Sequence, residues 1–570
     1  MKRMRKYSMS YTINLERSDS NKNVYVYEKN EQKVPLNSLY SPEKEAERFL
    51  KKITEIKNHF VIFIGFGNGA LLEKLIESKI YEQNIHFLFI EPFSEVELQK
   101  EHIKIFSSTK KISFIYGKDF TSILFADYLS KLIGISVTIQ IHPNYIKLND
   151  QKIKDCLKVI NEGIETKKIL NTTEMKFALD WILEPLANID SIANSINIRE
   201  LEGKFNGERA MLVASGPSLK KHMNFIKKNK DSFHLFSLGP SLRPLLQNGI
   251  APDFALSIDS GKTNYESHFK DLDYKGPLIY ETISNSNIQT NHLGDLIVVK
   301  STADYLSSRL FNDLYTFNAS PSVAIFTLQV IAYLGFSEVY LVGQDLALID
   351  GKYYAEGVKD TEISKDMKEE LIVEDNQGGQ VGTTKSLKIF LESFELLIKS
   401  LPPEMKIYNL SENGAKINGA EFISERSITE REKNKISINT ETIQSNGNTK
   451  LFIKNFIKDI KSLKKEVNQI LSNLNRHIKV GVITSNDMEK VLKDFRRIAA
   501  NDMLNKVILS HLTFMFHRIT NTFMMMETKR KYTSKDYLAM IEELETLYLL
   551  VSNYCDELLK DERLNDKIIN

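Results

Sequence analysis

The stretch RAMLVASGPSLKK, residues 209–221, decides the reading of the fold. A short flat apolar run with no polar alternation is the pattern of a strand buried on both faces. Gly216 then allows a tight turn. Pro217 and Ser218 open a helix, since a proline in the first turn loses no hydrogen bond there. The stretch is therefore a strand-to-helix unit. Twenty-odd residues later FHLFSLGPSLRPLL, residues 233–246, has the same form. It reads as the next crossover of the same sheet, a second rim turn of similar geometry and not a repeat unit.

Working outward, five further runs match the strand pattern. They are FALSID (254–259), PLIYETI (277–283), DLIVVK (295–300), EVYLVGQD (338–345) and KIYNL (406–410). Most end in Gly, Pro, Ser or Asp, and the intervals suit helical crossovers. Residues 196–425 thus form a doubly wound α/β domain, in which ligands bind beyond the carboxyl ends of the strands. Residues 1–195 form a Rossmann-like N-terminal domain. There HFVIFIGFGNGALLEKLIE (59–77) and NIHFLFIEPFSEVELQK (84–100) each pass from a buried strand to a helix, and 166–198 is a polar-faced helical connector. Residues 426–570 are a polar linker, SITEREKNKISINTETIQSNGNTK (427–450), followed by an all-α region. Ile453, Phe456, Ile460, Leu463, Val467, Ile470, Leu474 and Ile478 recur at three- and four-residue steps along one face. The methionine-rich block at 511–527 and the block at 537–559 continue this pattern. They read as a self-packed bundle or, in the alternative, as an adaptable partner-docking surface.

A chain of 570 residues exceeds one ordinary core, so several domains are expected. The composition, 42% apolar and 26% charged, is that of a soluble globular protein. A net charge of +2 argues against a nucleic-acid-coating protein. Two cysteines, Cys156 and Cys555, exclude a disulfide framework or zinc finger and suit a reducing compartment. No signal-peptide or membrane-spanning run is present, so a cytoplasmic location without membrane insertion is expected.

Two motifs invite nucleotide readings. Gly65, Gly67 and Gly69 follow an apolar strand, and Glu91 ends the next one. This resembles nucleotide- and S-adenosylmethionine-binding Rossmann units, but the spacing departs from GxGxxG, and a degenerate unit without cofactor fits equally. DSGKTN (259–264) ends like a P-loop, yet the required earlier glycine is Leu256, so no P-loop exists. The Gly216–Ser218 turn alone is either an ordinary corner or an anion site at a helix N-terminus. Its neighbours favour the second reading. Asp259, the start of the helix at Ser320–Ser322, Gly343-Gln344-Asp345 and the Tyr353-Tyr354 loop all fall at strand ends on one rim. Together they suit a sugar nucleotide.

The combination of GPSL (216–219), PDFALSID (252–259), SPSVA (320–324) and LGFSEVYLVGQDLALIDGKYYAEG (334–357) resembles the motility-associated factor (Maf) family of flagellin glycosyltransferases. The central domain is also similar to bacterial sialyltransferases that use cytidine-monophosphate (CMP) sialic acid. The resemblance implies transfer of a nonulosonic acid, of pseudaminic or legionaminic type, from its CMP-activated donor to Ser or Thr of flagellin. It places Gly216, Pro217 and Ser218 at the cytidine-nucleotide turn, with Ser320 and Ser322 bracketing a nucleotide-binding pair. Gly343 and Asp345, around Gln344, match a Gly-x-Asp. Tyr354 matches a phosphate-contacting phenol, and Asp259 replaces a donor-contacting Asn. Where the sialyltransferases carry a general-base His, this chain has Thr383 or Thr384. Proton removal from the attacking hydroxyl then falls to Asp345 or Asp259, with Thr383 positioning the donor. The Ser218 turn and Tyr354 would hold the leaving phosphate. No metal and no cofactor beyond the donor is expected, the central domain having no tight Asp-x-Asp pair. No nucleic-acid partner is expected, and a homo-oligomer is left open. The competing readings are a 6-hydroxymethylpterin diphosphokinase-like, ATP-dependent enzyme and a non-catalytic flagellin-binding factor.

Overall fold

The computed structural model describes residues 11–53, 55–56, 59–84, 86–130, 136–359, 368–438, 441–443, 445, 447–509 and 533–564. These fall into two compact units, one running to Leu170 and the other beginning at Asn171. The methionine-rich block at 511–527 lies wholly outside the described residues.

The first unit opens with an antiparallel meander, Thr12–Arg17, Asn23–Lys29 and Gln32–Pro35, which the sequence pattern did not reveal. Its main sheet is parallel, ordered Ile112–Tyr116, His86–Glu91, His59–Ile64, Ser136–Ile141. Alternate side chains feed two cores. Phe60, Ile62 and Ile64 pack with Ile153 and Ile160, whereas Val61 and Phe63 pack with Leu71, Leu72 and Leu75. Both faces are buried, which is why the strands read as flat apolar runs.

All seven expected strands of the second unit form, within one nine-stranded parallel sheet. The order is Glu421–Phe422, Lys406–Asn409, Glu338–Val342, Arg209–Val213, His234–Leu238, Phe254–Ser257, Leu278–Glu281, Leu296–Val299, Ile196–Asn197. Ala210 and Leu212 pack on one side with the helix Val323–Leu334, and Met211 and Val213 on the other with Leu219 and Ile226. From Arg209–Val213 the chain steps outward in one direction to Leu296–Val299. It then returns to the opposite side of that strand as Glu338–Val342. The reversal makes a crevice at the carboxyl ends of these two neighbours.

The linker is more structured than its composition suggests. Arg209 donates to the carbonyls of Thr429 (2.9 Å) and Arg431 (3.1 Å), and Lys433 pairs with Asp253 at 2.6 Å. Asn434 bonds Glu208. The segment is thus strapped to residues at the amino ends of two sheet strands, Arg209–Val213 and Phe254–Ser257. The connector expected at 166–198 is helical. It is the end of one long helix, Gln151–Ala187, followed by Ile189–Ala193, and the face opposite its polar one buries Ala178, Ile182, Leu183 and Leu186. Beyond the linker, Thr449–Val480, Ser485–Ala499 and Ser534–Lys560 are helices, and the first buries the apolar face expected of it except for half-buried Ile478. Ser552 Oγ bonds Asn468 Oδ1 at 2.9 Å, and Lys464 pairs with Asp556, joining the first and last of them.

Candidate active site

A cleft of about 410 Å³ opens at the switch point of the nine-stranded sheet. Asp345, Asp259, Gly216, Ser322, Gly343, Gln344 and Tyr354 line it, so the structure brings together seven of the residues singled out in the sequence. Gly343 has φ +69°, a left-handed turn that ends Glu338–Val342 and aims Asp345 back across the crevice. Its carbonyl accepts the Gly216 N–H at 2.8 Å, and Asp345 Oδ2 accepts the Ser218 N–H at 2.8 Å. A Cβ on Gly216 would lie 2.5 Å from both acceptors, so only glycine lets the two loops close on each other.

This geometry changes the expected role of the Gly216–Ser218 turn. Its amides are already bonded within the protein, and the positive end of the helix Leu219–Asn229 is neutralised by Asp345. Pro217 and Ser218 do not line this cleft, and the Ser218 hydroxyl lies 3.2 Å from that of Ser411. The helix start that opens on the cleft is instead that of Val323–Leu334. There Ser322 caps Ile325 N–H, and the first-turn residues Val323 and Ala324 face the cleft. Lys359, bonded to the Glu266 carbonyl at 2.9 Å, adds a positive charge to the lining.

Two further residues sit elsewhere. Ser320 bonds Gln329 Nε2 at 2.6 Å and the Asn318 carbonyl, bracing the loop before the helix. Thr383 is fully buried and donates to the Leu346 carbonyl at 2.9 Å, so its hydroxyl steadies the chain after Asp345 and faces no ligand space. Thr384 caps the helix Lys385–Ser400.

Asp259 is exposed at the mouth of the cleft, yet the protein crowded around its carboxyl, with no positive partner among the described residues, raises it above the ordinary range. The neighbouring strand ends in Glu281, which burial and repulsion from Asp259 and Asp304 push up to about 8. Behind Asp259, Asn285 donates its backbone N–H to the Asp259 carbonyl (3.1 Å) and its side-chain amide to the Ser260 carbonyl (3.0 Å). Asn285 also bonds the buried Glu184, which Arg563 holds at 2.8 Å together with Asp180 at 2.9 Å. The end of the C-terminal region is therefore wired to the loop that carries Asp259.

The sequence reading missed His268. It lines the cleft, has no hydrogen-bond partner among the described residues, and is held down to about 4 by burial and by Arg243 and Lys359. At neutral pH it is an uncharged imidazole whose ring nitrogen can accept a hydrogen bond. Tyr353, pushed up to about 12 by burial, and the rings of Phe177 and Phe390 supply aromatic surface. The available signal was position: His268 follows a strand end by only nine residues.

In the first unit the glycine-rich loop also lies at a switch point, but protein groups fill it. Glu91 turns inward, fully buried, and accepts from Phe66 N–H (2.9 Å), Gly67 N–H (3.1 Å), Phe93 N–H (3.0 Å) and the Tyr145 hydroxyl (2.6 Å). The space over Gly65 is taken by the Tyr145 ring, that over Gly67 by Asn37 and that over Gly69 by His102. Glu91 thus occupies the place that a ligand's hydroxyls or phosphates take in nucleotide-binding relatives of this fold.

Comparison with known proteins adds three findings. Residues 184–351 match a family model described as 6-hydroxymethylpterin diphosphokinase MptE-like. An uncharacterised protein of Treponema pallidum (strain Nichols) is 28% identical over 67 residues, 12% of this chain and about a third (32%) of that protein. The structure of the Maf glycosyltransferase from Magnetospirillum magneticum AMB-1 superposes with a TM-score of 0.50 at 15% identity, over 98% of this chain and 95% of that one. The fold of the chain is thus similar to that of the Magnetospirillum protein, and its residues 184–351 are MptE-like. The MptE-like match ends six residues past Asp345 and contains both strands of the switch point. Among the described residues, no helix is long and apolar enough to cross a membrane.

Proposed function

We propose that this chain is a cytoplasmic glycosyltransferase that moves a nonulosonic acid, of pseudaminic or legionaminic type, from its CMP-activated donor to Ser or Thr of flagellin. The observation that carries this reading is the cleft at the switch point. Aromatic faces, a helix N-terminus, Lys359 and two strand-end carboxylates converge there, on a fold similar to a Maf glycosyltransferase from end to end. The Ser322 helix start and Lys359 suit the donor phosphate, and they stabilise the charge that grows on it as the glycosidic bond breaks. Phe177 and Phe390 offer stacking surface to the base. Asp345 and Asp259 are the carboxylates within the cleft for the acceptor proton, and His268 is a hydrogen-bond acceptor in the same cleft. The donor serves as substrate, and the reading calls on no resident cofactor.

The MptE-like match supports a second reading, an ATP-dependent diphosphokinase. A ligand that binds only the folded state stabilises it by about 2.7 kcal/mol at a hundred times its Kd. Melting the full chain with CMP and with ATP separates the two readings, and a shift with ATP alone favours the kinase. The direct test is the glycan mass on flagellin from cells with and without this protein. An unchanged mass removes the glycosyl-transfer reading.

A further inference from the structure

The cleft at the switch point is one of two that meet. A second, of about 660 Å³, lies over the carboxyl ends of Lys406–Asn409 and Glu421–Phe422. Asp345 and Tyr354 line both. A reaction that joins two substrates needs both at one group, and these are the shared groups.

The linings differ in kind. In the second cleft, Lys220 pairs with Glu356 and His222 with Glu425, consuming part of its charge internally. The remaining cations, Lys221, Lys352 and Arg426, face Asp345, Asp350 and Glu412. This balance leaves no excess charge for a second phosphate. Leu410, Phe422 and Ile423 add apolar surface to these charged groups, a mixed lining that suits the mixed side chains of a polypeptide.

The sheet itself ends there. Glu421–Phe422 is the outermost strand and, among the described residues, pairs only with Lys406–Asn409. Such an edge offers main-chain donors and acceptors to another extended chain. At the junction, Asp345 is only 2% exposed and its Oδ2 is engaged by the Ser218 N–H. Its Oδ1 has no partner among the described residues. Buried carboxylate oxygens are normally bonded, so this carboxylate keeps unused accepting capacity at the junction of the two clefts.

We propose that the second cleft is the acceptor site, and that its occupant is an extended protein segment that enters past the Glu421–Phe422 edge and crosses the carboxyl end of Lys406–Asn409 to bring a Ser or Thr hydroxyl to the Asp345 carboxylate. This inference rests on the glycosyl-transfer reading above. The hydroxyl oxygen bonds to the anomeric carbon of the sugar as the bond from that carbon to the phosphate oxygen breaks. The electron pair leaves with CMP, and the hydroxyl proton passes to the Asp345 carboxylate. No further reagent is needed.

The test uses the full chain, unglycosylated flagellin, and CMP-pseudaminic and CMP-legionaminic acid. Ile423→Arg fills the second cleft, and Arg426→Glu reverses a charge on its rim. Each should raise the KM for flagellin about tenfold or more, while affinity for CMP stays within about twofold of wild type. Arg426 is exposed, so that variant carries the test if Ile423→Arg does not fold. Flagellin KM values equal to wild type overturn the inference. So does a parallel loss of CMP affinity, which would assign the second cleft to the donor. If the wild-type chain neither binds CMP nor transfers sugar, the glycosyl-transfer reading fails, and the acceptor assignment falls with it.

Discussion

Asp345 bonds the Ser218 amide and is the proposed proton acceptor, and paired substitutions separate these two roles. Its Oδ2 satisfies the Ser218 N–H at 2.8 Å, and its charge lies in a site only 2% exposed at the meeting of two clefts. Asp345→Asn keeps an oxygen for the Ser218 amide but removes the negative charge and the proton acceptor. A charge-assisted hydrogen bond exceeds a neutral one by about 1 kcal/mol, so stability should fall by about that amount. Turnover should fall by roughly 10²–10⁴, the range for loss of a general base. Asp345→Ala abolishes turnover equally and also orphans the buried Ser218 N–H, costing about 1–3 kcal/mol in stability. Urea unfolding reads the first effect. Release of CMP from the activated donor in the presence of flagellin reads the second. An Asn variant that keeps wild-type turnover refutes the proton-acceptor role. An Ala variant as stable as wild type refutes the structural one.

Three further predictions follow from the same geometry. Burial pushes Glu91 up to about 7 from an unfolded value near 4.5, so the protonated form favours folding. Its contribution is complete below the unfolded value and is lost as pH rises toward 7. Wild type should therefore lose roughly 3 kcal/mol relative to Glu91→Gln across that window, read by urea titration at several pH values. Parallel pH profiles for the two proteins would count against a buried, protonated Glu91. Gly216→Ala forces a methyl to 2.5 Å from Asp345 Oδ2 and the Gly343 carbonyl. It should destabilise by about 1–3 kcal/mol and weaken CMP binding, with an unchanged melting curve as the contrary result. Arg563→Met leaves the buried Glu184 without its counter-charge. A loss of about 3 kcal/mol is expected, relieved by adding Glu184→Gln, and a double variant no better than the single one would contradict the pairing.

The sequence by itself determined the local units. An apolar run followed by Gly-Pro-Ser can only be a buried strand turning into a helix, because glycine and proline restrict the backbone within a few residues. Seven strands of the large sheet were legible for that reason. Ile196–Asn197 and Glu421–Phe422 were not, since two residues carry no period. The rim was legible too, because parallel strands place their loops on one edge, and seven expected residues meet in the first cleft. Tertiary structure decided which groups at that rim are available. The Gly216–Ser218 amides looked open to an anion, but Asp345, 127 residues from Ser218, already engages one of them. Glu91 looked aimed at a ligand, but Tyr145 and the loop amides hold it inward. Thr383 looked like a site residue and serves the Leu346 carbonyl. His268 and Lys359 enter the cleft from loops with no distinguishing motif. Turn geometry is set by neighbours in sequence, whereas the bonding state of a buried polar group is set by chain segments that meet only when the sheet has formed.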